Sequence, residues 1–407
     1  MPPVTSTSSS VLIDAEIDDD GVQHTPPPSS SPWLLLIGLV LVGMNLRPAL
    51  SSVSPMLNQI KATTGLSGTL AGLLTTLPVL CLGLFGPLAP ALARRFGAER
   101  AIALILITLA LGVFLRTRFG LPGLFGGSIV AGASIGIIGV LLPGIVKRDF
   151  PRQASLMTGV YTMALCLGAA LAAGATIPIG RLFGGDWHPA LAVWWPQLRG
   201  RSISHHGQWT VSGLWRDPLA WQVTGYMGLQ SSLAYIVFGW LPPMLIDRGL
   251  APLAAGLMLS LSVMVQVLTA LAGPALAQRS RDQRGLIAVM VMLTLAGLMG
   301  MLFAPPASLW MWAVLLGLGQ GGTFSLALAL LVLRTPDPHV ASHLSGMAQG
   351  VGYTLASLGP LAVGLIHDLA DSWTPVAVLF GGIAAAALAC GLLAGRDRLV
   401  QARARPL

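Results

Sequence analysis

The sequence predicts an all-α membrane protein whose helices form two pseudo-symmetric six-helix bundles. Three observations carry that reading. Only 9% of the 407 residues are charged, against about a quarter in soluble chains, so polar side chains cannot cover a surface. Apolar runs near the roughly 20 residues needed to cross a bilayer core recur almost to the end of the chain. Short segments also repeat at a shared spacing of 187 residues: Ala154-Ser155-Leu156-Met157-Thr158-Gly159 with Ala341-Ser342-His343-Leu344-Ser345-Gly346, and Gly86-Pro87 with Gly273-Pro274. Repeated halves of this kind build many secondary carriers.

In chain order, residues 1–31 are rich in Ser, Pro and Asp and lack a positive n-region. A disordered cytoplasmic tail is expected there, not a cleaved signal peptide. An N-terminal bundle of six helices is expected over residues 32–198. Its first five spans are Trp33–Ile60, Leu66–Ala93, Ala101–Leu115, Leu121–Val146 and Ala154–Gly180, the third being short enough to borrow flanking residues. The sixth stretch, Leu182–Leu198, contains Asp186, His188 and two prolines, and as helix it reaches only about 25 Å.

Charge parity decides that stretch. If it crosses, seventeen Lys and Arg residues fall in connections and tails on one side, and only Lys61, Arg116, Arg118, Arg181 and Arg248 on the other. That is a positive-inside asymmetry, so both termini are expected in the cytoplasm and the protein in the plasma (inner) membrane. Residues 199–217 then form a cytoplasmic linker, 218–396 a second six-helix bundle and 397–407 a cytoplasmic tail. The second set of spans is Pro218–Ile246, Leu253–Ala277, Leu286–Phe303, Leu309–Leu333, Val340–Ile366 and Thr374–Gly395.

Composition also excludes functions. The net charge of +8 comes from small basic clusters between apolar runs, a topology signal and not a nucleic-acid stripe. Cys81, Cys166 and Cys390 lie inside apolar runs, so no disulfide framework is expected. There is no phosphate-binding Gly-x4-Gly-Lys-Ser/Thr loop, no His-Glu-x-x-His and no pair of aspartates within a span. No enzyme activity, metal or cofactor is expected, and the expected partners are a small solute and the bilayer, with the chain acting as a monomer.

Arg47 is the sharpest chemical signal. It stands in Gly43-Met44-Asn45-Leu46-Arg47-Pro48, well inside the first apolar run, where a guanidinium costs about 2.5–3.5 kcal/mol on insertion scales. No Asp or Glu within another span offers a counter-charge. Either Arg47 snorkels or caps carbonyls freed by Pro48, or its partner arrives from outside as a small anion matched to the guanidinium fork. Asn45 is a neutral neighbour, though two residues apart on a helix do not share a face. Other polar residues within spans are Tyr161, Gln230, Tyr235, Gln266, Gln320, Gln349 and Tyr353. Gln349 and Tyr353 share a helical face, and Gln320 lies among glycines in Gly317-Leu318-Gly319-Gln320-Gly321-Gly322. Each either hydrogen-bonds between helices or touches solute; the candidate binding set is Arg47, Asn45, Tyr161, Gln230, Gln320, Gln349 and Tyr353. The pairs Gly132/Gly136 and Gly346/Gly350 read as close helix contacts.

The segment Gly43–Pro55 resembles the first span of the cyanate/2-nitroimidazole porter branch of the major facilitator superfamily. Ala93–Arg100, Leu142–Pro151, Trp221–Thr224 with Gly228-Leu229-Gln230, Gly317–Gly322 and Ser345–Tyr353 are similar to further motifs of that branch. The resemblance runs from about Leu41 to Gly395. It implies a major facilitator fold, alternating access, transport of a small polar or anionic solute, and a central cavity containing Asn45 and Arg47. It leaves open import of anions, export of drug-like nitro-aromatic compounds, or a non-transporting sensor or scaffold. Two positions depart from the pattern. Ala190–Trp195 runs directly into Pro196-Gln197-Leu198-Arg199, so the sixth helix is expected to be short or defective. Gly139 stands where the branch has a polar Asn.

Overall fold

The computed structural model describes residues 32–150, 154–182, 188, 191, 209–336, 338–370 and 372–406. The expected N-terminal tail, nearly all of the weak sixth stretch and the first part of the linker lie outside the described residues. Eleven helical spans among the described residues are long and apolar enough to cross a bilayer. They correspond one for one to the eleven strong apolar runs.

The first span is three helices end to end: α1 (Pro32–Leu46), α2 (Pro48–Ser51) and α3 (Val53–Thr64). Pro48 causes the first break, because it has no N–H to give to the carbonyl one turn back. The N-terminal half continues with α4 (Gly68–Phe85), α5 (Ala89–Phe96), α6 (Ala98–Arg118), α7 (Gly120–Asp149) and α8 (Ala154–Leu182). The third span does borrow its flanks, since α6 extends past both expected ends. The C-terminal half contains α9 (Pro218–Asp247), α10 (Pro252–Gln278), α11 (Arg284–Phe303), α12 (Leu309–Leu333), α13 (Pro338–Ala370) and α14 (Thr374–Ala394). The repeated Gly-Pro pair behaves differently in the two halves. Gly86-Pro87 opens a short 3-10 turn between α4 and α5, whereas α10 continues through Pro274.

Lipid gives helices little hydrophobic reason to associate, so small residues set how closely they pack. A Cβ on Gly168 of α8 would lie 2.1 Å from the Met44 carbonyl oxygen, the group that Pro48 leaves without its usual donor. Cβ atoms on Gly132 and Gly136 of α7 would fall 2.4 and 2.5 Å from the carbonyls of Pro78 and Leu82 on α4. These two glycines are the close contacts expected of them. The second pair differs: a Cβ on Gly346 meets nothing within 4 Å and one on Gly350 would touch Pro87 at 3.5 Å.

Two arginines counted above as loop charges are buried. Arg116 in the last turn of α6 is 1% exposed and donates through Nη1 to the Ala49 carbonyl at 2.7 Å, while its Nε and Nη2 have no hydrogen-bond partner. Its place in the chain suggested a topology charge; the turn of α6 instead points it inward onto α2. Arg334, just past α12, is 3% exposed and donates to the carbonyls of Ala394 and Gly395, to that of Arg281 and to the Gln283 side chain.

The two ends of the molecule are held differently. At one end, β1 (Trp209–Ser212) pairs antiparallel with β2 (Arg403–Pro406), the only strands among the described residues. There Asp217 caps α9 through Leu219 N and Ala220 N, and its other oxygen accepts from Gln401 N at 2.6 Å. At the opposite end, Asp368 of α13 accepts from the backbone N–H and the hydroxyl of Thr69 on α4. His367 Nε2 lies 3.5 Å from Asp247 Oδ2 at this same end.

Candidate solute site at the helix break

The break in the first span puts a charge at the centre of the molecule. The Arg47 carbonyl accepts from Leu50 N and Ser51 N at 3.0 and 3.1 Å, which starts α2 and fixes the backbone at the break. The Ser51 hydroxyl bonds the Arg47 carbonyl at 3.2 Å and the Ala169 carbonyl of α8 at 3.0 Å. The Arg47 side chain reaches the C-terminal half while staying beside Cys166 of α8. Its guanidinium carbon lies 5.3 Å from the ring centroid of Phe238 on α9 and 5.5 Å from that of Phe324 on α12. Three of the chain's four tyrosines, Tyr161, Tyr235 and Tyr353, interact with it electrostatically, as does Cys166. Among the described residues no carboxylate pairs with Arg47.

Amides complete the wall. Gln266 Nε2 donates to Gln320 Oε1 at 3.2 Å, and Gln320 Nε2 reaches the Leu233 carbonyl at 3.4 Å. Tyr235 meets Tyr353 edge to face at 5.9 Å between centroids. Arg47, Cys166, Tyr235, Phe238, Gln320 and Phe324 line a cavity of about 20 Å3, enough for about one water. The arrangement is a cation flanked by π faces, with neutral amides nearby and no acid. Its chemistry is attraction of a small negative or strongly accepting group, and a solute larger than water needs the halves to part.

Of the residues expected in the site, Arg47 and Gln320 line the cavity, and Tyr161 and Tyr353 lie within electrostatic reach of the guanidinium. Asn45 is engaged elsewhere: its Nδ2 donates to the Leu41 carbonyl of its own helix at 2.7 Å. Gln230 bonds the Met227 carbonyl and the Ser231 hydroxyl, and its Oε1 is buried without a hydrogen-bond partner. Gln349 donates to the Ser345 hydroxyl one turn earlier in α13 at 2.8 Å. Phe238, Phe324, Cys166, Tyr235, Gln266 and Ser231 were not expected in the set. Tyr235 and Gln266 carried a signal, being polar within a span; an aromatic ring or thiol in an apolar run carries none. No cluster of His, Cys, Asp and Glu suited to a metal occurs among the described residues.

Comparison with known proteins agrees with this architecture. The Major Facilitator Superfamily model matches residues 203–406, about half of the chain. The chain is 37% identical to the 2-nitroimidazole transporter of Escherichia coli K12 over 388 residues, covering 90% of this chain and 97% of that protein. The chain belongs to the major facilitator superfamily. It is also 37% identical to the uncharacterized transporter YycB of Bacillus subtilis 168, over 90% of this chain and 94% of that one. The cyanate transport protein CynX of Escherichia coli K12 is 31% identical, over 83% and 91% of the two chains. Solved structures share the fold at lower identity. A bacterial homologue of the lysosomal transporter Spinster, inward-facing and occupied, gives a TM-score of 0.65 at 14% identity, covering 90% of this chain and 95% of that one. The nucleoside transporter NupG gives 0.67 at 13%, covering 88% and 99%. As a member of this superfamily the protein is a multi-pass secondary transporter and not an enzyme.

Proposed function

We propose that this facilitator moves a small anionic solute across the plasma membrane by alternating access, as a monomer with both termini in the cytoplasm. The bundles 32–198 and 218–396 rock about a site centred on Arg47, with Tyr161, Gln320 and Tyr353 as nearby polar contacts. Asn45, Gln230 and Gln349 are proposed to reach solute only after the halves reorient, because each is engaged within its own helix here. The observation that carries the reading is Arg47 itself, a half-buried guanidinium flanked by two phenyl rings with no acid paired to it among the described residues. Cation–π contacts offset part of its burial, each by about 0.5–2 kcal/mol. An anion supplies the stronger, charge-assisted hydrogen bonds that a planar fork favours. Relatives named for cyanate, for 2-nitroimidazole and, putatively, for anionic 4-hydroxybenzoate support a small, flat solute.

Counterflow in reconstituted liposomes tests the proposal, with cyanate, 2-nitroimidazole and 4-hydroxybenzoate as labelled probes. The wild type is expected to exchange at least one of them. Arg47→Ala should reduce exchange to background while eluting as folded protein, and Arg47→Lys should lose at least about tenfold. Normal exchange by Arg47→Ala would refute the role of Arg47. Absence of exchange with any probe in the wild type would favour a sensor or scaffold.

A further inference from the structure

The two rings against Arg47 occupy mirrored depths. Phe238 lies nine residues before the end of α9 at Asp247, and Phe324 nine residues before the end of α12 at Leu333, each about 13 Å of helix. Those helix ends face opposite sides of the molecule. The α12 end is tied by Arg334 to Gly395, and the start of α9 reaches the same region through Gln222 and Arg396. The α9 end lies instead with His367, next to the Asp368–Thr69 contact. Phe238 is therefore carried on the part of its helix nearer one face of the protein, and Phe324 on the part of its helix nearer the other.

The space around Phe238 adds a second observation. A further cavity of about 20 Å3, lined in part by Val53, Leu74, Pro78 and Ser128, shares only Tyr235 and Phe238 with the Arg47 cavity. Phe238 is thus part of the partition between two small chambers, each with room for about one water.

We propose that Phe238 and Phe324 are the two gates of the Arg47 chamber. Phe238 closes it toward the face carrying Thr69 and Asp368, and Phe324 toward the face carrying Arg334 and the β1–β2 pair. The proposal rests on the transport reading above and assigns its moving parts. Both rings are held by their attraction to the guanidinium. An anion bound to Arg47 cancels much of that charge and so weakens the hold on each ring. Solute binding and gate release are in this way one electrostatic event.

Cys166 lines the same chamber and reports its opening. With Cys81→Ser and Cys390→Ser, it is the sole thiol in the chain. The reagent is sulfonatoethyl methanethiosulfonate, a membrane-impermeant anion, applied to one face of proteoliposomes whose orientation is set by protease access to the C-terminal strand. Phe238→Leu is expected to raise the labelling rate of Cys166 at least fivefold from the Thr69 face only, and Phe324→Leu from the opposite face only. Phe238→Tyr, which keeps a ring, should label as slowly as the parent. Size-exclusion elution confirms that each variant is folded. Equal rates in all variants, or acceleration by both from one face, overturn the gate assignment. If the parent still labels slowly from both faces, alternating access survives that result; if Cys166 reacts from neither face in any protein, the transport reading falls with the gates.

Discussion

Asp368 Oδ2 accepts two hydrogen bonds from Thr69, one from its backbone N–H and one from its hydroxyl, each at 2.5 Å. The partners are 299 positions apart in the chain, so the contact joins its first and second halves. Thr69 lies in the first turn of α4, whose free N–H groups and positive dipole end favour a carboxylate. Gly68 makes room for it, since a Cβ there would lie 2.0 Å from Asp368 Oδ1.

Asp368→Ala is therefore expected to destabilise the fold by roughly 1–2 kcal/mol, read as a lower unfolding midpoint in detergent. Asp368→Asn should retain part of this, because an amide oxygen still accepts. In a double-mutant cycle with Thr69→Val, the coupling should exceed about 0.5 kcal/mol; strict additivity would show that the contact does not form in solution.

Gly168 and Gly139 make a contrasting pair. Gly168→Ala places a methyl against the Met44 carbonyl, so α1 and α8 must separate, at a cost of several kcal/mol by analogy with overpacked cores. The expected result is a loss of monodisperse protein in size exclusion. Gly139→Ala meets nothing within 4 Å and should leave the elution profile unchanged or raise stability by up to about 1 kcal/mol through helix propensity.

Arg334→Ala removes the donor to the Ala394 and Gly395 carbonyls and is expected to cost about 3 kcal/mol or more through unsatisfied acceptors. Arg334→Lys should restore only part of the loss, because one ammonium cannot span the positions the fork reaches. Thermal unfolding of the three proteins side by side measures both effects.

In the connection between α10 and α11, Arg284 hydrogen-bonds Asp282 and holds its carboxyl below the ordinary value. A depressed carboxyl stabilises the fold above its unfolded pKa and loses that contribution as pH falls through the folded one. The difference in unfolding midpoint between wild type and Asp282→Asn should therefore be constant from pH 5 to 8. It should shrink only below about pH 4.

The spans were legible because a bilayer imposes one length on every crossing helix, and Arg47 because a guanidinium is conspicuous among apolar neighbours. The partners of Arg47 were not legible. Phe238 and Phe324 stand in runs where aromatic residues are ordinary, and only the docking of α9 against the broken first span, with α12 packed beside α9, brings their rings to one charge. Arg116 shows the converse: its place at a span end suggested a solvated topology charge, but the last turn of α6 directs it onto Ala49. The i, i+4 relation of Gln349 and Tyr353 held along the helix without making a shared site. Tyr353 meets Tyr235, whereas Gln349 is satisfied by Ser345.

The pairing of Trp209–Ser212 with Arg403–Pro406 bears on how the protein is handled at the bench. A fluorescent fusion or affinity handle appended after Leu407 would begin one residue beyond a paired strand, at the end of the ladder where Pro406 faces Trp209. Purification handles belong at the other terminus, and a carboxyl-terminal fusion needs a spacer long enough to leave that strand in its ladder.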